Sequence, residues 1–332
     1  MFSEGEFALV IPLFFCLSQK EAVRVRIMDL VNALPGSVAQ GLIWGIMAIG
    51  VYITYKLLDY ADLTVDGSIG TGGAVAVVMM LGGAHPYVAL LCATLAGALA
   101  GLVTGLFHTA FGIPPILSGI LSQLGLYSVN MRIMGASNRA INVNQYDLIL
   151  SLRDIPHAIL VSVLFVAATI AVLYWFFGTE VGRGIRATGN NANMSRAQGI
   201  NTNIMIVIGL TLSNALVGLA GGLYAQYQGS ADVNMGRGAI VIGLAAVIIG
   251  AVLFGKLFQN FALRMLSVVF GAVLYYVVIA VVLWLGLETT DLKLISALIV
   301  ALFLAIPYLR GRWTIRRIRR GGVSYAGTEK RL

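Results

Sequence analysis

A polar segment with three arginines separates two strongly apolar stretches of this 332-residue chain. It runs from Gly178 to Asn203, and its arginines are Arg183, Arg186 and Arg196. Arginine offers charged hydrogen bonds to carboxylates. The spacing of Gly, Ala and Ile residues predicts one or two short capped helices with an apolar stripe, which is expected of a loop that binds a partner. The alternative is a solvated basic loop that reflects only the orientation of the chain in a membrane.

A second segment concentrates acids and glycines. Residues 59–73 read DYADLTVDGSIGTGG, with three aspartates and four glycines. An aspartate at membrane depth is costly unless protein or a water-filled path surrounds it. We therefore expect a broken helix whose irregular backbone lines a cavity, with the glycines weakening the helix. The alternative is an ordinary turn between two helices.

Polar and small residues also recur within the apolar stretches. Asn214 and Gln226 lie in one of them, and such side chains either join helices by hydrogen bonds or face water. Gly97, Gly101 and Gly105 recur at four-residue intervals and predict a close helix crossing.

Patterns for catalysis and metal binding are weak. Residues 250–256, GAVLFGK, match the start of a phosphate-binding loop, but Leu257 follows where Ser or Thr is required. The three histidines stand apart, and the two cysteines, Cys16 and Cys92, form no ligand cluster. We therefore expect no metal, no cofactor and no catalytic residue, so the chain is predicted not to be an enzyme.

The composition is typical of a polytopic membrane protein, because 59% of residues are hydrophobic and only 11% are charged. The predicted fold class is all-α, a transmembrane helix bundle with about nine crossings, in the range of eight to ten. The nine apolar segments are 38–58, 69–82, 86–107, 113–131, 158–177, 204–226, 239–254, 265–286 and 292–309.

The positive charges set the orientation. Eight of the 22 Lys and Arg residues follow Leu309, so the net charge of +8 reflects a membrane surface and not nucleic acid. A cytoplasmic C-terminus places the loops 178–203, 255–264 and 310–332 inside, and the loops 132–157, 227–238 and 287–291 outside. The cytoplasmic membrane is the expected location, with a bilayer as partner.

Three regions are expected along the chain. Residues 1–27 form a leader whose apolar run is too short to cross a membrane, and the hypothesis is that it is dispensable and that Met28 is the functional start. Residues 28–309 form the transmembrane domain, and residues 310–332 form a basic cytoplasmic tail.

Three places carry a resemblance to a known family: the two motifs described next, and the long glycine-rich spans after Ile204 that end near Gly255. Residues 184–200, GIRATGNNANMSRAQGI, are similar to the cytoplasmic signature of the membrane permeases of bacterial ATP-binding-cassette importers for branched-chain amino acids, ribose and nucleosides. Residues 62–68, DLTVDGS, resemble the Asp-Leu-Ser-Val-Gly stretch of the sugar and nucleoside branch, although Asp66 is inserted before the glycine. The resemblance covers roughly residues 34–309.

The resemblance implies that import is carried out by several different protein subunits. A separate ATPase subunit would bind ATP and dock on residues 182–203, an extracytoplasmic binding protein would deliver the substrate, and a second permease subunit, expected to be an identical copy, would complete the path. Gly189 and Gly199 would allow turns in the docking segment. The predicted docking residues are Arg183, Arg186, Ala187, Gly189, Asn190, Arg196, Ala197, Gly199 and Ile200.

The substrate and its path follow from the same resemblance. An amino acid, aromatic or branched-chain, is the expected substrate, with a sugar or nucleoside as the alternative. The predicted path residues are Asp62, Thr64, Asp66, Gly67, Ser68, Asn214 and Gln226. A second hypothesis is a self-sufficient carrier driven by H⁺ or Na⁺, with Asp62 and Asp66 as ion ligands.

Overall fold

The computed structural model describes residues 32–143, 146, 148–255 and 257–285, together with isolated positions between 294 and 305. The leader 1–27, the tail 310–332 and nearly all of the ninth apolar segment, 292–309, lie outside the described residues.

The described chain is a helical bundle with one two-stranded ribbon. Its elements are α1 (Asn32–Leu57), α2 (Val65–Leu81), α3 (Pro86–Thr109), α4 (Pro115–Met134), β1 (Asn138–Ala140), α5 (Ile155–Gly178), α6 (Glu180–Asn190), α7 (Ala192–Ala197), α8 (Thr202–Gln228), β2 (Ser230–Asp232), α9 (Ala239–Phe254) and α10 (Phe261–Trp284). The last turn of α1, Ile53–Leu57, is a π-helix. Each of the first eight predicted apolar segments corresponds to a helix, which confirms the helix-bundle fold class.

In the part of the chain that the structure describes, five helices are long and apolar enough to cross a membrane: α1, α3, α5, α8 and α10. Two others, α2 and α9, are shorter apolar helices of 17 and 16 residues. The predicted count of about nine crossings therefore stays a prediction.

The long helix α8 lies at the centre of the bundle, and glycines bring its neighbours close. A side chain at Gly97 of α3 would overlap the carbonyl oxygen of Asn214, and one at Gly72 of α2 would overlap that of Gly218. The predicted close crossing by the glycine stripe of α3 is thereby confirmed, because Gly101 likewise faces the α8 backbone at Leu210. Packing of this kind replaces the hydrophobic drive that is absent between helices in lipid.

The two short helices meet inside the bundle. After β2 the chain runs back along α2, since Met235 lies against Gly73 and Gly236 lies against Asp66 and Ile69. Helix α9 then begins beside the first turn of α2. Both helices therefore begin part-way along the bundle.

Two loops that were predicted to lie outside and the loop 178–203 that was predicted to lie inside are found at opposite ends of the bundle. β1 pairs antiparallel with β2, with Arg139 opposite Ala231, and so joins the two loops that were predicted to lie outside. Helices α6 and α7 lie at the other end, where α5 ends and α8 begins. Which end faces the cytoplasm stays a prediction.

Candidate functional site

Residues 179–203 form an ordered elbow of two short helices, each begun by a side-chain cap. Thr179 accepts a hydrogen bond from the Gly182 N–H at 3.3 Å, and Asn191 accepts one from the Met194 N–H at 3.0 Å. Asn201 caps α8 by accepting from the N–H groups of Asn203 and Ile204. Such caps satisfy amide groups that a helix start leaves without partners. The prediction of one or two short capped helices is confirmed.

Helix α6 packs against several of the long helices. A side chain at Gly182 would overlap the backbone of Phe176 at the end of α5, and one at Gly189 would overlap the carbonyl oxygen of Leu57 at the end of α1. Gly184 faces the sulfur of Met205 in α8. Residues without side chains are required where backbones approach this closely.

Arg186 ties the elbow to α10. Its guanidinium carbon lies 5.2 Å from the centre of the Phe261 ring, within the range of a cation–π contact. Arg183 and Arg186 are exposed, and Ala187 is half-buried. All three line a groove of about 720 Å³ with Gly189 and Asn190.

The other wall of this groove is the end of α1, supplied by Tyr55, Lys56, Leu57 and Asp59. Sequence reasoning assigned no docking role to these residues. A signal was present, because Tyr55, Lys56 and Asp59 place polar side chains at the end of an apolar segment. Only the fold shows that this end lies against α6.

The remaining docking candidates lie along α7 and the turn that follows. Exposed Arg196 donates from Nε to the Thr202 hydroxyl at 2.8 Å, which fixes it to the start of α8. Ala197 is exposed and Ile200 is half-buried. Gly199 has a φ of 83°, so the predicted turn at this glycine is confirmed.

Gly189 has another role from the one predicted. It lies inside α6 (Glu180–Asn190) and forms no turn. The expectation of a turn at this glycine was wrong, because its lack of a side chain serves contact with α1 and not backbone bending.

The break predicted near residues 59–73 is shorter than expected. Helix is interrupted between Leu58 and Thr64, where Asp59 has a φ of 54°, and α2 is continuous from Val65. The glycines of residues 67–73 do not weaken the helix as predicted, since they are buried within it and allow other helices to approach. Helix packing offsets the intrinsic cost of glycine.

Asp62 anchors a buried polar network within the bundle. One carboxylate oxygen accepts from the Thr64 N–H at 2.9 Å, and the other accepts from Asn214 Nδ2 at 2.7 Å. Asn214 lies near the middle of α8, about 18 Å from its first residue at the α-helical rise of about 1.5 Å per residue. Asp62 is 2% exposed, so this part of the connection between α1 and α2 is buried within the bundle.

The network extends to α3 and α4. Asn214 Oδ1 accepts from the Ser68 hydroxyl at 2.6 Å, and the Thr64 hydroxyl lies 2.7 Å from that of Thr104. Thr104 lies 2.7 Å from the hydroxyl of Ser122. These groups are buried and bonded to one another, as buried polar groups require. Four predicted path residues, Asp62, Thr64, Ser68 and Asn214, therefore join helices in this conformation.

Asp66 caps a helix from a neighbouring element. Its two oxygens accept from the Gly238 N–H at 3.0 Å and from the Ile240 N–H at 2.9 Å. Helix α9 has no cap from its own side chains, because its N-cap is Gly238. A carboxylate in this place also opposes the positive end of the helix dipole.

Gln226 lies apart from the other predicted path residues. It is fully buried near the end of α8, and its Oε1 accepts from the Ile149 N–H at 3.2 Å. Gln226 therefore holds the connection between β1 and α5 against the bundle.

A cavity of about 290 Å³ opens next to Asp66 and Gly67. Its walls come from α2, α4 and the segment before α9. The further lining residues are Gln123, Leu124, Tyr127, Asn130, Val233 and Arg237. Sequence reasoning did not assign these residues to a common site, because they are far apart in the chain. Within the described residues, no group of three or more potential metal ligands was found.

Comparison with known proteins identifies the family. The family described as "Branched-chain amino acid transport system / permease component" matches residues 34–307. The chain is 40% identical over 266 residues to the tyrosine transport system permease protein of Clostridioides difficile (strain R20291), covering 80% of this chain and 88% of that protein.

Sugar permeases are more distant relatives. The ribose import permease protein of Escherichia coli (strain K12) is 28% identical over 228 residues, covering 66% of this chain and 69% of that protein. Among solved structures, PsaBC from Streptococcus pneumoniae in complex with Fab matches 76% of this chain and 95% of that chain, with a TM-score of 0.39 and 14% identity. We draw nothing from a structural likeness at that score. The family match over residues 34–307 and the 40% identical permease together show that the chain belongs to the permease family of branched-chain amino acid transport systems, a membrane component of ATP-binding-cassette importers.

Proposed function

We propose that this chain forms the translocation path of an ATP-binding-cassette importer, and that a separate ATPase subunit docks on residues 182–203. The main support for this proposal is the packing of α6 against four helices, α1, α5, α8 and α10. An element pushed by a partner has to be rigid and attached to the helices that move. The caps and glycine contacts of the elbow meet both conditions.

The groove between α6 and α1 is the proposed centre of docking. Arg183, Arg186 and Lys56 supply positive charge around it, and Asp59 supplies one negative charge. A partner surface rich in carboxylates, with a cation facing Asp59, would complement this pattern. Arg196 offers a further positive charge on the adjoining turn.

Two variants test the docking role. Deletion of residues 183–200 should abolish co-purification with the ATPase while membrane insertion persists. The double charge reversal Arg183→Glu and Arg196→Glu should weaken co-purification, more so at low salt, because exposed charges are screened by ions. Arg132→Glu, an exposed arginine in the last turn of α4, is the matched control and should leave binding unchanged. Normal ATPase binding by the deletion variant would refute the docking role.

We propose an amino acid as the substrate, aromatic or branched-chain. The support is the 40% identity to a protein named as a tyrosine transport system permease. A sugar is the second candidate, because permeases named for ribose and D-allose match at 28% and 26% identity. Thermal-shift measurements on the cognate binding protein with L-tyrosine, L-leucine and D-ribose decide between them, since the true ligand stabilises the folded state.

The proposed partners follow from this role. They are ATPase subunits, an extracytoplasmic binding protein and a second permease subunit, proposed to be identical, with the C-terminus in the cytoplasm. The path is proposed to pass the region of Asp66 and Gly67, whose side of α2 borders the cavity of about 290 Å³. Impermeant labelling of a cysteine introduced at Ala192 should fail in intact cells, because α7 is proposed to face the cytoplasm.

The carrier driven by H⁺ or Na⁺ is less consistent with the geometry. Both oxygens of Asp62 and both oxygens of Asp66 already accept hydrogen bonds from protein N–H groups. Neither carboxylate presents a free pair of oxygens to a cation. Uptake by this chain alone in vesicles without ATP, abolished by an ionophore, would support the carrier instead.

A further inference from the structure

We infer that the cavity between α2, α4 and the segment before α9 binds a zwitterionic amino acid, with its carboxylate on Arg237 and its ammonium group on Asn130. This inference rests on the proposed function, since it names residues that would recognise the transported substrate. The cavity measures about 290 Å³, just below the roughly 300–1,000 Å³ usual for small-molecule sites. It suits one small molecule and not an oligomer.

Arg237 supplies an uncompensated positive charge. Asp66 is the only carboxylate among the described residues that line this cavity, and both of its oxygens accept hydrogen bonds from N–H groups at the start of α9. Among the described residues, the Arg237 side chain has no hydrogen bond or ion pair. Arg237 is exposed at the edge of this cavity, so its guanidinium group is accessible to a ligand. A ligand carboxylate matches the guanidinium geometry.

Asn130 supplies the complementary acceptor. It is 1% exposed and lines the cavity, and its Nδ2 donates to the Gly67 carbonyl at 3.4 Å. Its Oδ1 is buried with no hydrogen-bond partner in the described structure. A buried acceptor without a donor is energetically unfavourable. A ligand ammonium group would satisfy it.

The cavity can be reached from outside the subunit. Leu124 is 65% exposed and Tyr127 is 45% exposed, and both lie on its α4 wall. Tyr127 adds an aromatic ring beside the polar groups, as in sites that hold an apolar side chain next to a charged head. The α4 wall therefore provides both the apolar contact and the Asn130 acceptor, and the segment before α9 provides the cation, Arg237.

Protection from cysteine labelling tests the site in the assembled permease–ATPase complex in nanodiscs. Leu124→Cys, in a background without the native cysteines, reports on the cavity wall through its rate of alkylation by N-ethylmaleimide. The probes are L-tyrosine, tyramine, which lacks the carboxylate, and 3-(4-hydroxyphenyl)propionate, which lacks the ammonium group. We expect L-tyrosine to protect at the lowest concentration, and each analogue to need about tenfold more or higher, as for a lost charged hydrogen bond.

Variants assign the two groups. Arg237→Gln should abolish the preference for L-tyrosine over tyramine, Arg237→Lys should keep part of it, and Arg132→Gln is the matched control. Asn130→Leu should abolish the preference for L-tyrosine over 3-(4-hydroxyphenyl)propionate. The inference is overturned if tyramine protects as well as L-tyrosine, if D-ribose alone protects, or if Arg132→Gln acts as Arg237→Gln does. ATP-driven uptake of L-tyrosine without any protection would overturn this site while leaving the proposed function in place.

Discussion

Replacing Gly189 by alanine adds one methyl group at the contact between α6 and the end of α1. The new carbon would overlap the carbonyl oxygen of Leu57 and would lie 2.7 Å from both the Leu57 carbonyl carbon and the Leu58 Cα. These are backbone atoms, so no rotation of a side chain relieves the overlap. Helix α6 has to move away from α1.

The cost can be bounded from two opposing effects. Overpacking of a close contact costs about 1–3 kcal/mol. Alanine is better than glycine in a helix by roughly 0.5–1 kcal/mol. Gly178→Ala is the matched control, because Gly178 also lies at the end of a helix and has no atom within 4 Å of the added carbon. The difference between the two variants therefore isolates the overlap at about 1–3 kcal/mol.

Two measurements check this prediction on the purified complex. Thermal unfolding should give a lower Tm for Gly189→Ala than for Gly178→Ala. Substrate molecules moved per ATP hydrolysed should fall in Gly189→Ala, since motion of α6 would no longer pass fully to α1. Equal stability and equal coupling of the two variants would refute the view that this contact transmits movement. Lower stability with unchanged coupling would restrict the contact to a structural role.

Three further predictions concern the structural roles of Asp62, Asp66 and Gly199. Asp62→Ala should lower the free energy of unfolding by about 1–3 kcal/mol for each donor that it leaves without a partner, at Asn214 and at the Thr64 N–H. The control Asp59→Asn should be nearly neutral in chemical unfolding, because asparagine tolerates a φ of 54°. Asp66→Ala should raise the hydrogen-exchange rates of the Gly238 and Ile240 amides about 2–30-fold, which corresponds to the loss of a helix cap worth about 0.5–2 kcal/mol. Unchanged exchange rates would exclude the capping role. Gly199→Ala should cost roughly 1–2 kcal/mol of stability through backbone strain alone, since no atom lies within 4 Å of the added carbon. Gly199→Asn should cost less, and equal Tm values for the two variants would contradict this reasoning.

Much of the helical pattern could be predicted from the sequence. Runs of apolar residues of membrane length mark the long helices, because an unpaired backbone cannot cross lipid. The elbow could be predicted as well, since Thr179, Asn191 and Asn201 are good caps and stand directly before short helical stretches.

The roles of single glycines and aspartates could not be predicted in this way. A glycine such as Gly189 has the same local propensity whether it ends a helix or allows a neighbour to approach. The sequence also places Asp62 and Asp66 together, although one bonds to the middle of α8 and the other caps α9. Their partners are more than 150 residues away, beyond any local pattern.

The sequence by itself determined that the chain is a membrane helix bundle with an ordered basic elbow, because apolar length, charge and capping are local properties. Only the tertiary structure decided that α6 rests on the end of α1, that the acidic segment is largely bonded to other helices, and that Asn130 and Arg237 share one cavity. Those results depend on which helices become neighbours. That choice is made by close packing between backbones, which acts across the whole chain and not within one segment.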